Sequence, residues 1–175
     1  LKTITGVSVG SIISVAILCG YTMDELVSFI IMKATKLSTS LSFQINHVIE
    51  CFGACSSEVL SDLVCELIDN KCPQRSDKMT LSELYEITQT HLYIAVTNVN
   101  RHRQELWCHE TQPDVPVILA VQISCCIPFV FSPITYNDEL YVDGGIIANI
   151  PMNILSKHPD KTLCISLEPD SEVFY

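Results

Sequence analysis

The sequence of 175 residues contains few basic side chains: 10 lysines and arginines stand against 20 aspartates and glutamates, for a net charge of −10. This balance disfavours nucleic acid as a partner and leaves no basic patch to draw the chain to anionic lipid. Its apolar runs also fall short of the roughly 20 residues that a membrane-spanning helix needs. Any contact with a membrane is therefore expected to be apolar or transient.

C-x-x-C pairs are absent too, although the chain has nine cysteines. Most of them lie inside apolar runs, where a free cysteine behaves as a small hydrophobic residue. This pattern indicates reduced thiols and predicts a cytoplasmic or otherwise intracellular protein, with membrane association left open. Four histidines show no spacing typical of metal ligation, so neither a metal nor a cofactor is predicted; they are His47, His91, His102 and His109.

Repeats and low-complexity tracts are also missing, and 48% of the residues are apolar. A chain of this length and composition predicts one compact domain with a sizeable core. Helical and extended patterns alternate along it, which predicts an α/β fold with helices flanking a mostly parallel central sheet. The first residue is Leu1 rather than methionine, which we interpret as the mark of a fragment or a processed product.

Helical signals recur along the chain. Thr22–Glu25 and Thr80–Glu83 have the spacing of capping boxes, and Ser57–Asp69 carries its apolar residues on one stripe. Further helices are predicted after Gly10, over Val117–Ile127 and from about Pro151. The predicted strands are His91–Val99 with its hairpin partner Glu105–His109, Phe129–Ile134, Leu140–Val142 and Lys161–Leu167, the last of which has the composition of a buried strand.

Lys33–Cys55 is the hardest segment to interpret, because it mixes serine and threonine with apolar residues. We interpret it as a loop with a short helix. It is the best candidate in the chain for a lid or a substrate-facing segment.

The five residues Gly6-Val7-Ser8-Val9-Gly10 follow a short apolar-leaning run and lead into an apolar helical segment. Strand, G-x-S-x-G and helix in this order are the context of a nucleophile elbow. A serine at the tip of such a turn has strained backbone angles, and glycine on both flanks is expected to remove collisions between side chains. The turn also places Ser8 at a helix N-terminus, where N–H groups stabilise a developing negative charge.

The same segment has two plainer interpretations. Glycine and serine are common loop residues, so the motif alone is a weak signal. A signal peptide would combine Lys2, an apolar run and the small residues around Cys19 and Gly20, but the serines and glycines that interrupt the run argue against it. The elbow interpretation therefore depends on support from the rest of the chain.

A second candidate group is Asp143-Gly144-Gly145, which ends a predicted strand. In open α/β sheets functional groups gather at the carboxyl ends of strands, so Asp143 is placed where it can meet Ser8. The alternative is an ordinary Asp-Gly turn. Asn149 and Pro151 follow closely and are expected to shape this turn rather than take part in chemistry.

Together these segments resemble the patatin-like phospholipases. That family pairs a G-x-S-x-G serine with the aspartate of a D-G-[AG] motif. The stretch AVQISCCIPFVFSPITYNDELYVDGGIIANIPM is similar to its signature helix, loop and strand, with Ser124 and Pro128 in a Ser-x-x-x-Pro arrangement. The resemblance extends from Leu1 to about Leu167. It implies a patatin-like, three-layer α/β fold, with residues 1–175 as a single domain.

The resemblance implies a lipid acyl hydrolase of the phospholipase A type. Ser8 is then the nucleophile that attacks an acyl ester, and Asp143 is the base that takes its proton, with no histidine between them. The Val9 N–H is an oxyanion donor, and Gly144 and Gly145 allow a close approach of the backbone. The expected partners are a phospholipid or another acyl-ester lipid and, transiently, a membrane surface.

The chain also departs from the family pattern. The glycine-rich loop that supplies further oxyanion donors lies upstream of the elbow in this family, and none of the six glycines here form such a cluster. The resemblance therefore implies that the loop and the first strand are missing. This leaves open a non-catalytic lipid- or partner-binding relic. A third possibility is an α/β-hydrolase esterase, because Ser8, Asp143 and His158 occur in the chain order of its triad. His158, however, lies in a polar segment typical of an exposed helix end.

Overall fold

The structure is a computed structural model that describes residues 2–40, 53–72, 78–151 and 162–166. Helices and strands alternate along most of these residues. The strands are β1 (Thr3–Val7), β2 (Gly53–Cys55), β3 (His91–Asn98), β4 (Arg103–Trp107), β5 (Phe129–Phe131), β6 (Ile134–Tyr136) and β7 (Glu139–Asp143), and the helices are α1 (Val9–Leu18), α2 (Met23–Ser40), α3 (Glu58–Asp69), α4 (Leu81–Thr88) and α5 (Val117–Ser124).

Strand β3 is the centre of a five-stranded mixed sheet. β1 runs parallel to it, with Val7 opposite Ala95. β4 and β7 both run antiparallel to β3, and β7 places Asp143 opposite Val96. β4 pairs with residues 94–98 of β3, while β1 pairs with residues 91–95 and β7 with residues 96–98. β4 therefore occupies one edge of β3, and β1 and β7 lie end to end along the other edge. β6 extends the sheet beyond β7, while β2 and β5 form a separate parallel pair.

This arrangement brings two distant parts of the chain together. β1 and β7 run in opposite directions along the same edge of β3, and each ends where the other ends. Val7 and Asp143 face consecutive residues of β3, so the end of β1 and the end of β7 meet. Consecutive strand positions are about 3.3 Å apart, and Ser8 therefore emerges beside Asp143.

Three of the described helix ends have well-defined caps. Thr22 and Glu25 form a capping box at the start of α2, in which the Glu25 carboxylate accepts from the Thr22 N–H at 2.8 Å, and Thr80 and Glu83 form another at α4. α1 ends in a Schellman motif at Gly20, whose φ is 85°. The two capping boxes are confirmed as predicted.

The core lies between the sheet and three helices. α1 packs on β1, α5 packs on β3 and β7, and α3 covers α1 and α5 from outside. The largest side chains with almost no exposure include Trp107, Leu67, Ile68, Met79, Ile94 and Ile123. The α/β class is thereby confirmed, with a sheet that combines the parallel pair β1–β3 with antiparallel pairs.

The structure corrects our interpretation of Lys33–Cys55. α2 continues without a break to Ser40, since no glycine or proline interrupts it, and Gly53–Cys55 is a strand rather than loop. Residues 41–52, and with them His47, lie outside the described residues. Lys33 is buried, forms an ion pair with Glu66 and lies over the ring of Phe29, so this end of the segment is held against α3.

The predicted buried strand at Lys161–Leu167 is wrong for its described part. Residues 162–166 have no strand structure, and Leu163 and Ile165 are 84% and 85% exposed. An apolar run forms a strand only where it pairs with another strand, and none of the described strands pairs with residues 162–166. The predicted helix after Pro151 and His158 fall outside the described residues.

None of the described helices combines the length and apolarity that a membrane crossing requires.

Candidate active site

Ser8 lies at the sharp turn between β1 and α1. Its backbone angles are φ 53° and ψ −130°, a conformation that residues with side chains rarely adopt. The strain predicted for the tip of the elbow is therefore present. The residue is only partly buried, so its hydroxyl is held on a fixed backbone while remaining accessible.

The two glycines of the elbow have different roles. A Cβ added to Gly6 would lie 2.7 Å from the Ser11 nitrogen and 2.8 Å from the Gly10 carbonyl oxygen, so α1 can approach β1 only if residue 6 is glycine. A Cβ added to Gly10 would meet nothing within 4 Å. The expectation that both glycines remove a collision is therefore wrong for Gly10, because that side of the helix faces open space.

Hydrogen bonds hold the elbow on both sides of Ser8. The Ser8 N–H donates to Ser124 Oγ at 3.1 Å, and the Ser124 hydroxyl donates to the Ala95 carbonyl at 2.7 Å. Ser11 binds the Ser8 carbonyl through its N–H at 2.8 Å and through its hydroxyl at 2.6 Å. Ser124 is fully buried at the end of α5, and it therefore ties the elbow to β3.

Asp143 ends β7 and is 4% exposed. Its N–H donates to the Cys126 carbonyl at 2.9 Å, and its Oδ1 accepts from the Gly145 N–H at 2.7 Å. Its Oδ2 is buried and has no hydrogen-bond partner of ordinary geometry among the described residues. One carboxylate oxygen is thus fixed by the backbone, while the other is left for an incoming proton donor.

Burial raises the pKa of Asp143 above its ordinary value. The nearby Ser8 hydroxyl and the Gly145 N–H act in the opposite direction, but burial dominates. Ser8 therefore lies close enough to interact with the carboxyl, although the two do not form a hydrogen bond of ordinary length and angle. Burial also raises the pKa values of the Cys125 and Cys126 thiols to about 12, which leaves both neutral beside the carboxylate.

The turn after Asp143 approaches β3 very closely. A Cβ on Gly144 would lie 2.6 Å from the Ala95 carbonyl carbon, so no larger residue fits there. Gln104 holds the turn from β4, since its side-chain amide donates to the Gly144 carbonyl at 2.8 Å and to the Ala148 carbonyl at 2.7 Å. A Cβ on Gly145 would meet the Asn149 side chain, so Asn149 borders this turn as expected.

The first turn of α1 supplies the electrostatics beside Ser8. The first N–H groups of a helix have no acceptor within the helix and carry a partial positive charge. Val9 is the first residue of α1, so its N–H lies in this first turn, next to the serine. This is the expected place of an oxyanion donor in a nucleophile elbow.

Two positioning residues could not be identified from the sequence pattern. Ser124 belongs to the Ser-x-x-x-Pro arrangement, and Gln104 directly precedes the predicted strand Glu105–His109. Both act on the backbone of a segment far away in sequence, a contact for which a single sequence carries no local signal. The helix predicted over Val117–Ile127 is shorter in the structure, since α5 stops at Ser124, before Pro128, and β5 begins at Phe129.

Exposed apolar side chains follow the two candidate residues in the sequence. Val9 follows Ser8 and is 47% exposed, while Ile146 and Ile147 follow the Asp143 turn and are 55% and 48% exposed. Ile127 and Phe129 continue this surface from the segment bonded to Asp143. The segments that carry Ser8 and Asp143 therefore present exposed apolar side chains.

A groove of about 490 Å³ lies elsewhere, along β4 and the β6–β7 hairpin. It is lined mainly by polar residues such as Arg101, Arg103 and Glu139. No serine or cysteine lines it, and it includes neither Ser8 nor Asp143. We therefore place the candidate chemistry at the elbow rather than in this groove.

Comparison with known proteins identifies the family of the chain. The model of the family described as patatin-like phospholipase matches residues 1–156. The uncharacterized protein R571 of Acanthamoeba polyphaga mimivirus is 30% identical over 174 residues, which are 98% of this chain and 56% of that protein. The probable lipid hydrolase 463L of invertebrate iridescent virus 6 is 27% identical over 163 residues, 92% of this chain and 55% of that protein. The chain thus spans about half the length of these curated relatives.

Among solved structures, VipD from Legionella pneumophila matches with a TM-score of 0.52 and 16% identity, over 86% of this chain and 41% of VipD. That likeness concerns the fold alone. The family model covers most of the chain, including both the elbow and the Asp143 turn. The chain therefore belongs to the patatin-like phospholipase family.

Proposed function

We propose that this protein is a serine lipid acyl hydrolase of the phospholipase A type that works through a Ser8–Asp143 dyad. One observation carries the proposal: a strained, accessible serine stands beside a buried carboxylate whose Oδ2 has no hydrogen-bond partner among the described residues. Family membership and the name of the iridescent virus relative support hydrolysis of lipids.

In the first half of the reaction, Ser8 Oγ attacks the acyl carbonyl carbon and its proton passes to Asp143 Oδ2. The carbonyl oxygen becomes an oxyanion beside the Val9 N–H and the start of α1. Collapse of this intermediate leaves the acyl group on Ser8, and the released alcohol takes the proton from Asp143.

In the second half, water attacks the acyl-serine. Asp143 accepts the proton of the water, and Ser8 Oγ leaves and recovers that proton as the fatty acid departs. Burial raises the pKa of Asp143, which makes the carboxylate a stronger base than an exposed aspartate. The fixed Oδ1 keeps Oδ2 directed to one proton donor at a time.

The surroundings of the site favour a lipid substrate. The segments next to Ser8 and Asp143 carry exposed apolar side chains, which suits acyl chains at a membrane surface; they are Val9, Ile127, Phe129, Ile146 and Ile147. With a net charge of −10, electrostatic attraction to anionic lipids is not expected to hold the protein at a membrane. We therefore propose that it contacts an intracellular membrane transiently and through apolar side chains. No nucleic acid partner is proposed.

A covalent probe tests the proposal directly. The purified protein, and a longer natural chain where one exists, is incubated with a fluorophosphonate and with a medium-chain acyl ester. We expect ester hydrolysis, and mass spectrometry should locate the probe on Ser8. If the protein is folded but neither labelled nor active, the binding relic is the better hypothesis. If labelling occurs but is lost in His158→Ala, the dyad is replaced by the triad.

The dependence on pH gives a separate prediction. Protonated Asp143 cannot accept the Ser8 proton, so kcat/KM is expected to fall as pH decreases through the folded pKa of Asp143. Because that pKa is raised, the fall should lie above the ordinary aspartate value of 3.8. Initial rates across the acidic range, restricted to the pH range in which circular dichroism is unchanged, measure the midpoint. A midpoint at or below the ordinary value contradicts the role of a buried base.

A further inference from the structure

A second cluster of chemically active side chains lies at the other end of β3. His91 is the first residue of this strand, and His109 and Glu110 follow the end of its antiparallel partner β4. The register that pairs Ile94 with Trp107 continues in this direction and brings the start of β3 toward residues 109 and 110. The sequence spacing showed no metal-ligation pattern because the hairpin creates the proximity.

The three side chains have the geometry of a small metal site. One ligand atom from each of His91, His109 and Glu110 lies within 4.8 Å of the others. His109 Nε2 and Glu110 Oε1 are 3.7 Å apart. Two ligands that bind a tetrahedral zinc ion at 2.0–2.1 Å are separated by roughly 3.4 Å, so only a small adjustment is needed.

The hydrogen-bonding state of the two imidazoles points in the same direction. His91 Nδ1 and His109 Nδ1 are both buried, and neither has a hydrogen-bond partner among the described residues. Buried polar atoms in proteins are almost always satisfied, and an ion is one recognised partner for those that are not. Each of these neighbouring rings, 4.9 Å apart at their centres, therefore has one nitrogen that no described residue binds.

Tyr85 of α4 fixes the orientation of both rings. It stacks on His109 at 3.7 Å with an interplanar angle of 7°, and it packs at 5.0 Å against His91. Ligand side chains held in place by packing lose little freedom when a metal binds. Two imidazoles and one carboxylate form a set of nitrogen and oxygen ligands that suits Zn²⁺, with water in the fourth position.

From this we infer that His91, His109 and Glu110 form a binding site for a divalent transition metal, with Zn²⁺ as the expected ion. The site does not belong to the hydrolase chemistry. Asp143 pairs with Val96 of β3, and His91 lies five residues before Val96 on the same strand. The two sites are therefore roughly 16 Å apart along β3. The metal joins the start of β3 to the end of β4, and through Tyr85 it braces the hairpin against α4.

Metal titration of the intact chain tests this site. Chelator-treated, reduced protein is titrated with Co²⁺ while its visible d–d spectrum is recorded, and with Zn²⁺ in a calorimeter. We expect one ion per chain and no thiolate-to-cobalt charge-transfer band, because no cysteine is a ligand. Saturating Zn²⁺ should raise Tm by roughly 5–10 °C at about a 100-fold excess over Kd.

Variants identify the ligands. His91→Asn and His109→Asn are expected to weaken binding at least about 100-fold, and Glu110→Gln, at an exposed position that should not affect folding, about 10-fold or more. His102→Asn is the matched control, because His102 is exposed in the β3–β4 turn. Binding that survives both Glu110→Gln and His109→Asn, a thiolate band, or no binding at all overturns the inference.

Discussion

Replacing Ser8 with alanine is expected to reduce kcat/KM for ester hydrolysis by at least about 10³-fold, because the acyl-enzyme can no longer form. Asp143→Asn should reduce it by about 10²–10⁴-fold, the usual contribution of a general base. The double variant should be no worse than Ser8→Ala, since the two side chains act in one step. Initial rates with a medium-chain acyl ester measure all three.

Stability distinguishes lost chemistry from lost folding. Burial raises the pKa of Asp143, so the neutral form is favoured in the folded state, and the stability this group contributes at low pH is lost as pH rises through its folded pKa. Asp143→Asn should therefore be at least as stable as the parent chain at neutral pH, and the Gly145 N–H can still bind the amide oxygen.

Matched controls for these two variants are available in exposed positions. Asp138→Asn changes the turn between β6 and β7, and Ser28→Ala lies on the outer side of α2. Both should retain full activity. Unchanged activity in Asp143→Asn, or a loss in it that coincides with lower stability, would remove this aspartate from the mechanism.

The second large effect concerns the glycines of the elbow. Gly6→Ala places a methyl group against the backbone of α1, and we expect a loss of about 1–3 kcal/mol in the free energy of unfolding. Tm should fall by roughly 2–4 °C for each kcal/mol in a chain of this size. The methyl group forces α1 away from β1 and so displaces Ser8. We therefore expect kcat/KM to decrease even at temperatures at which the Gly6→Ala variant is still folded.

Gly10→Ala is the matched substitution. The space beside Gly10 is open and the residue lies inside α1, so alanine should leave stability unchanged or raise it by up to about 1 kcal/mol. Urea denaturation of both variants gives the comparison. Equal destabilisation at positions 6 and 10 contradicts the difference that the structure shows between the two glycines.

The features that could be predicted from the sequence are local ones. Each capping box at Thr22 and Thr80 is defined by four consecutive residues, and the elbow by five residues between a strand and a helix. All the residues that form these motifs are neighbours in the chain, so the motifs can be recognised in the sequence. The strained angles of Ser8 follow from the same local geometry.

Features that depend on distant partners could not be predicted in this way. The length of α2 depends on packing such as that of Lys33 against α3, and residues 162–166 lack a strand because apolar composition does not provide a pairing partner. The contacts of Ser124 and Gln104, like the proximity of His91 to His109, form only when β3 pairs with its neighbouring strands. Strand pairing of this kind is a property of the whole chain.

The shared edge of β3 has a consequence for the order of folding. β1 precedes β3 by more than 80 residues and β7 follows it by about 40, and each is aligned by β3 rather than by the other. Contacts between such distant segments close large loops and are slow to form. If Ser8 and Asp143 act together as proposed, separation of either β1 or β7 from β3 moves the two side chains apart. Recovery of activity during refolding is then expected to report the pairing of both strands with β3, rather than the formation of the β3–β4 hairpin.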